Sequence, residues 1–228
     1  EELTEDLRDA EAALSAALGD LLADPAADPA FVAECLVLSD FDTLAEQVYR
    51  QLSTAILSGS FAPLERINIR RLADEIGVSV TPAREAIVRL VADGVLQATD
   101  RNAILVPERS EAEIGEIFTL RRQLEGDMAE GAASRFQDED IEFLNETQRK
   151  FLTALDAADY KSVLRINSVF HFFIYAKSEL PLHLKITESL WMRIGPTLHY
   201  MYPILHKNRV DHRRHEEIIE SAARRDPK

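Results

Sequence analysis

Leu72-Ala73-Asp74-Glu75-Ile76-Gly77-Val78-Ser79-Val80-Thr81-Pro82-Ala83-Arg84-Glu85-Ala86-Ile87 reads as two helical signatures on either side of a short turn. Leu72, Ala73 and Ile76 fall on one face of a helix predicted over about 69–76, and Gly77 stands where a left-handed residue closes such a helix. Val78-Ser79-Val80 is the turn. Thr81-Pro82 then offers a hydroxyl cap followed by a proline at the first helical position. Ala83, Ile87, Leu90 and Val91 continue the buried side of this next helix, opposite Arg84, Glu85, Val88 and Arg89.

Outward from that core the pattern holds. Leu44, Val48, Leu52, Ala55 and Ile56 make an apolar stripe on an earlier helix that ends at Ser58-Gly59. Downstream of Asp93-Gly94, the runs Val95–Ala98 and Ala103–Val106 flank the polar turn Thr99-Asp100-Arg101-Asn102, which is a hairpin signature. Three short helices, a three-residue turn before the third, and a hairpin make a winged helix-turn-helix. In that geometry the N-terminal end of the third helix enters a major groove. Ser79, Thr81, Arg84 and the nearby Arg70 and Arg71 are then the residues available to base edges or phosphates, with Arg84 suited to a two-pronged contact with guanine. The competing reading is a small three-helix unit that only joins domains, its arginines solvated.

Composition alone points the other way. The 228 residues carry a net charge of −14, whereas affinity for DNA comes chiefly from Lys and Arg on phosphates. The distribution resolves this: residues 1–42 hold 12 acids and one Arg, 43–110 hold eight of each sign, and 111–228 hold 20 acids and 17 bases. The segment with the helix-turn-helix pattern is neutral and can present a positive face. With 46% hydrophobic residues the chain can fill substantial cores, and a single cysteine, Cys35, excludes an internal disulfide and a thiolate zinc ribbon. No stretch resembles a spanning helix or a secretory leader, so the expectation is a cytoplasmic protein with no membrane partner. Residues 3–22 place leucines at helical spacing among acids, and Pro25 and Pro29 break that helix.

Beyond Pro107 apolar residues recur at helical spacing over roughly 111–135, 138–157, 159–178, 181–206 and 208–225, which predicts an antiparallel all-α bundle. Asn167 and His171 lie four apart and share a face; His212 and His215 lie three apart on the last of these helices. An oxygen donor with imidazoles inside a bundle suits a divalent transition metal. Spacing equally suits a hydrogen-bonded core histidine among Phe170, Phe172 and Phe173. Arg121, four residues before Glu125, reads either as a surface ion pair or as a planar clamp for a carboxylate.

Leu44-Ala45-Glu46-Gln47-Val48-Tyr49, Leu72 through Ser79, Thr81 through Ile87 and Gly94-Val95-Leu96 together resemble the DNA-binding domain of GntR-family transcriptional regulators. The helical remainder resembles the ligand-binding domain of the FadR-type branch, the FCD domain. The resemblance implies DNA contacts at Arg70, Thr81, Arg84 and, at the wing tip, Arg101. It departs at Pro63-Leu64, where the family has Pro-Gly, at Val80, where many members have Arg, and at Asn102, where the wing has Gly. Asn167 through His171 resembles the family's Asp-x-x-Phe-His ligand pair and His215 through Ile219 its His-x-x-Ile segment, implying a zinc or similar ion on Asn167, His171 and His215. His212 is the substitute if the register shifts. A further His implied about one helix later is not present up to Lys228. Arg121 resembles the arginine that faces the ligand cavity, and Leu180-Pro181 stands where the family has Asn-Pro.

The expected protein is therefore mainly α: an acidic helical extension over 1–42, a winged helix-turn-helix over 43–108 and an all-α effector-binding and dimerisation domain over 109–228. The expected function is a ligand-responsive regulator that binds a double-stranded operator as a homodimer, a repressor released by a small organic acid. The rival class is a metal-dependent enzyme built on the bundle. Against it, the sequence offers no Ser-His-Asp set and no phosphate-cradling glycine loop.

Overall fold

The computed structural model describes residues 43–100, 103–208 and 210–225, with side chains described outside 199–212. The expected helix over 3–22 lies outside the described residues, as do Arg101 and Asn102 at the wing tip. The chain divides into two units. Residues up to Ser53 group with Glu65–Val106, and Thr54–Leu64 groups with the chain from Pro107 onward.

In the first unit, the part of α1 (Leu44–Leu57) up to Ser53 buries Val48 and Leu52 at one-turn spacing. Helix α2 (Ile69–Ile76) starts where the Asn68 side chain accepts hydrogen bonds from the backbone N–H groups of Arg70 and Arg71, and ends at Gly77 with φ 78°. That left-handed angle is what a glycine there supplies. Helix α3 (Val80–Ala92) begins two residues earlier than the sequence suggested. Ser79, not Thr81, is the N-cap residue, and its side chain makes no capping hydrogen bond. Thr81 therefore belongs to the first turn, which leaves its hydroxyl on the helix surface. Pro82, Ala83, Ala86, Ile87 and Leu90 form the buried side as expected.

The hairpin expected from the sequence is shorter and has a third strand. Strands β1 (Arg66–Ile67), β2 (Gln97–Ala98) and β3 (Ile104–Leu105) form an antiparallel sheet in the order β1-β3-β2, with Arg66 opposite Leu105 and Gln97 opposite Leu105 on the other side. A two-residue strand has no periodicity to read, which is why β1 left no signal. Tyr49 on α1 donates to Asp93 Oδ2 at 2.9 Å, and the Arg89 guanidinium lies 3.8 Å above the Tyr49 ring while pairing with Glu46. Burial, then the Asp93 carboxylate, pushes the Tyr49 hydroxyl up to about 12, so it remains a donor. The end of α3 is thereby tied to α1.

The second unit carries five helices among the described residues: α4 (Glu111–Ala133), α5 (Asp138–Asp156), α6 (Tyr160–Ala176), α7 (Pro181–Asn208) and α8 (Val210–Arg224). Each lies within two residues of a span read from apolar spacing. Local chemistry sets their starts. Ser110 and Glu113 form a reciprocal capping box on α4, and the Asp159 carboxylate accepts from Ser162 N–H on α6. The main core gathers Met128, Phe136, Leu144, Phe170, Ile174, Tyr175, Trp191 and Ile219 from all five helices. One contact is backbone to backbone: a Cβ at Gly195 of α7 would stand 2.7 Å from the Ile56 carbonyl oxygen.

Leu64 occupies the left-handed region at φ 66° and is 59% exposed. It sits where the resemblance calls for glycine, so the backbone has kept the glycine conformation without the glycine. That conformation costs a β-carbon residue about 1–2 kcal/mol, partly offset in a glycine variant by the ~0.5–1 kcal/mol of extra chain entropy glycine loses on folding. Leu64→Gly is expected to raise stability by up to about 1 kcal/mol, measured as a higher urea midpoint at unchanged slope; a lower midpoint would contradict this account.

Candidate functional site

Two groups of residues carry chemistry. The first is the surface end of the helix-turn-helix. Arg70, Ser79, Thr81 and Arg84 are all exposed, and among the described residues neither Arg70 nor Arg84 enters an ion pair. Arg71, by contrast, donates to Glu75 at 2.6 Å, one turn along α2. Arg89 is held by Glu46 and Tyr49. The face that remains is the N-terminal end of α3 with Arg70 beside it, where helix N–H groups and side chains can meet a phosphate or a base edge.

The second group lies inside the helical unit. Helix α6 aligns Asn167, His171 and Tyr175 at four-residue steps, so all three project from one face. Asn167 Oδ1 stands 3.1 Å from His215 Nε2 on α8, and His215 Nδ1 stands 2.8 Å from Gln148 Oε1 on α5. The His215 ring stacks on Phe170 at 4.1 Å between centroids and meets His171 edge-on at 5.2 Å. His171 packs against Trp191 and Tyr175, with its Nδ1 3.3 Å from the Tyr175 hydroxyl. The three residues proposed from sequence as ligands are thus brought together.

Next to them is a buried ion pair. Glu125 accepts from Arg121 Nε at 2.5 Å and from Trp191 Nε1 at 2.7 Å, and burial and the Glu125 charge together push the Tyr175 hydroxyl well above its ordinary value. The Arg121 guanidinium lies flat over the Trp191 ring, 4.0 Å from its centroid. The sequence left Arg121 as either a pair with Glu125 or a cavity residue. It is paired one turn along α4 and is not on the surface, being only 8% exposed. An incoming carboxylate would find the Nε edge taken and would have to use the terminal nitrogens. Sequence reasoning named Glu125 only as a partner and gave Trp191 and Tyr175 no role. Gln148 gave no signal, because its relation to His215 spans 67 positions.

These donors suit a metal in kind. Two ligands of a tetrahedral ion at about 2.1 Å stand about 3.4 Å apart, so Asn167 Oδ1 and His215 Nε2, at the hydrogen-bonding separation of 3.1 Å, would move slightly apart to share one. The set has one neutral amide oxygen and two imidazoles, and among the described residues no three His, Cys, Asp or Glu gather around one point. With no anionic ligand, such a site holds a cation less tightly than one built on a carboxylate. His212 falls where side chains are not described.

Burial, reinforced by the Arg121 charge, pushes His171 down to about 3 from its ordinary 6.5. The unfolded chain therefore takes up a proton near pH 6.5 that the folded one refuses, so this contribution to stability is complete above pH 6.5 and is lost as pH falls toward 3. His171→Gln is expected to flatten the stability profile between pH 6.5 and 4, where the wild-type slope carries up to about 1.4 kcal/mol per pH unit from this ring. Denaturant titrations of the metal-free protein across that range decide it; parallel profiles would mean His171 is solvated.

Comparison with known proteins gives the family of both parts of the chain. Residues 44–106 match the family of bacterial regulatory proteins of the gntR family, and residues 116–228 match the FCD domain. The HTH-type transcriptional regulator McbR of Escherichia coli strain K12 is 32% identical over 175 residues, covering 77% of this chain and 78% of that protein. The HTH-type transcriptional regulator YdhC of Bacillus subtilis strain 168 is 28% identical over 184 residues, covering 78% and 80%. The solved structure of E. coli McbR/YncC superposes with a TM-score of 0.75 at 28% identity, over 82% of this chain and 89% of that one. These relatives are transcriptional regulators rather than enzymes, and the winged helix-turn-helix followed by an all-α bundle is their fold. The chain belongs to the GntR family of DNA-binding transcriptional regulators, in the branch whose effector-binding domain is an FCD domain.

Proposed function

We propose that the chain works as a homodimeric repressor in the cytoplasm, seated on a two-fold symmetric operator and released by a small organic acid. The DNA-binding part is 43–108, the effector-binding and dimerising part 109–228, and 1–42 an acidic extension. The observation that carries the reading is the exposed end of α3, where Ser79, Thr81 and Arg84, with Arg70 on α2, have side chains open to solvent. Two such ends in one dimer would reach successive major grooves, and the family resemblance adds Arg101 as a DNA contact. Val80 in place of the family's arginine removes one base-reading fork, which shifts the preferred sequence rather than the ability to bind. Repression is the favoured sign because a dimer seated over a promoter excludes polymerase.

Inside the bundle, Asn167, His171 and His215 would hold a divalent transition metal such as zinc, and the terminal nitrogens of Arg121 would take one oxygen pair of the effector. The ion would supply chelation for a second oxygen group of the acid. Effector binding changes operator affinity to the extent that the acid prefers one arrangement of the dimer over the other.

Arg84→Ala is expected to weaken binding to the cognate duplex by about 1–3 kcal/mol and to relax preference at one base step. Titration of selected duplexes at two salt concentrations measures it, and equal affinity would remove α3 from the interface. His171→Ala is expected to abolish bound metal while leaving operator binding near wild type. Elemental analysis of the purified variant is the check, and stoichiometric metal in it would refute this ligand set.

A further inference from the structure

We infer that Val88 is a specificity-determining residue that recognises the C5-methyl group of an operator thymine, on the same strip of α3 as Arg84. This role rests on the proposed placement of α3 in a major groove, and it names the base read beside the guanine. Thr81, Arg84, Glu85 and Val88 are exposed and recur at helical spacing, so all four lie on one side of α3. Val88 is 61% exposed. Among the described residues of the DNA-binding unit it is the one large apolar side chain so open to water. The other exposed ones, Leu64, Phe118, Leu120, Leu182 and Ile186, all belong to the helical unit.

Core packing makes little use of this valine: the buried side of α3 is Pro82, Ala83, Ala86, Ile87 and Leu90. A β-branched residue is also a slightly poorer helix former than Ala, Lys or Glu. Phosphates offer it neither a hydrogen bond nor a charge to take up. Base edges in the major groove are likewise polar, with one exception, the thymine methyl. Valine is stiff about χ1 in a helix, so its methyl groups stay where the backbone puts them. A protein partner docking on this side would have to displace the DNA that Thr81 and Arg84 face, which favours the operator as the occupant.

The spacing along α3 sets where that thymine stands. Val88 follows Arg84 by one turn, about 6 Å along the helix axis. Base pairs stack about 3.4 Å apart. A helix lying lengthwise in a groove about 12 Å wide therefore brings Val88 within two base pairs of the guanine that Arg84 takes. A helix entering by its tip alone would carry Val88 out of reach. Thymine reading by Val88 thus requires α3 to lie along the groove.

The test uses the full-length protein and a duplex that it selects from a randomised library. Each thymine of one half-site is replaced in turn by deoxyuridine, which pairs alike and lacks only the methyl group. Wild type is expected to bind one such duplex about 4-fold more weakly, the worth of one buried methyl. That position is expected within two base pairs of the guanine whose preference Arg84→Ala loses. Val88→Ala, which puts a better helix former at the site, is expected to bind the thymine duplex about 4-fold more weakly than wild type does. It is expected to bind the thymine and uridine duplexes alike, and an unchanged urea midpoint reports that it is folded. A wild-type scan with no sensitive thymine, a sensitive one further from that guanine, or the same penalty in Val88→Ala would overturn the inference. If Arg84→Ala also binds as tightly as wild type, what fails is the placement of α3 in the groove. If Arg84→Ala weakens binding while the thymine scan is flat, α3 keeps its place and Val88 loses its role.

Discussion

A carboxylate mostly withdrawn from water needs donors inside the protein, and Glu125, its side chain 19% exposed, finds two. Arg121 comes from its own helix and Trp191 from α7, so one negative charge joins the two helices through directional contacts. Removing an ion pair from water carries a penalty that attraction alone does not repay; additional hydrogen bonds to the carboxylate offset it. This network also explains the flat stacking of Arg121 on Trp191, since the guanidinium must satisfy Glu125 in its plane and can offer only its face to the indole. Around it, Phe170, Trp191 and Tyr175 fill the core and hold the imidazoles of His171 and His215 in orientations that a looser pocket would not keep.

The DNA-binding unit solves a different problem with smaller means. Its sheet has three strands of two residues each, so strand pairing contributes little by itself. Rigidity comes instead from the close packing of Val48, Leu52, Ala83, Ile87 and Leu90 and from the chain of polar contacts Glu46–Arg89–Tyr49–Asp93. Those contacts engage the C-terminal half of α3. At its N-terminal end Ser79, Thr81 and Arg84 stay exposed while Pro82 and Ala83 are buried, the division of labour expected of a helix that must be held on one side and read DNA with the other.

Much of this was legible in residue order. Helices with a strong apolar stripe and a recognisable stop, such as 69–76 with Gly77, were placed to the residue, because cap and periodicity agree. The start of α3 was not, because Thr81-Pro82 satisfies the cap-and-proline rule while the chain already turns into helical geometry at Val80. Strand β1 was invisible for want of length. In the bundle, Asn167 and His171 were readable as one face because they share a helix. Gln148 was not, because a hydrogen bond between α5 and α8 has no sequence period. The burial of Arg121 was also beyond reach: a charged pair at four-residue spacing looks the same on a surface and in a core until the neighbours of the helix are known.

The grouping of Thr54–Leu64 with the helical unit makes that unit discontinuous in sequence. Its surface at Gly195 is shaped to receive the Ile56 carbonyl, and only a residue without a side chain leaves room. A fragment cut at Pro107 would keep the notch and discard what fills it. The helical half is therefore not a module that evolution could shuffle by cutting at the obvious linker: it travels with a segment borrowed from the far side of the recognition helix.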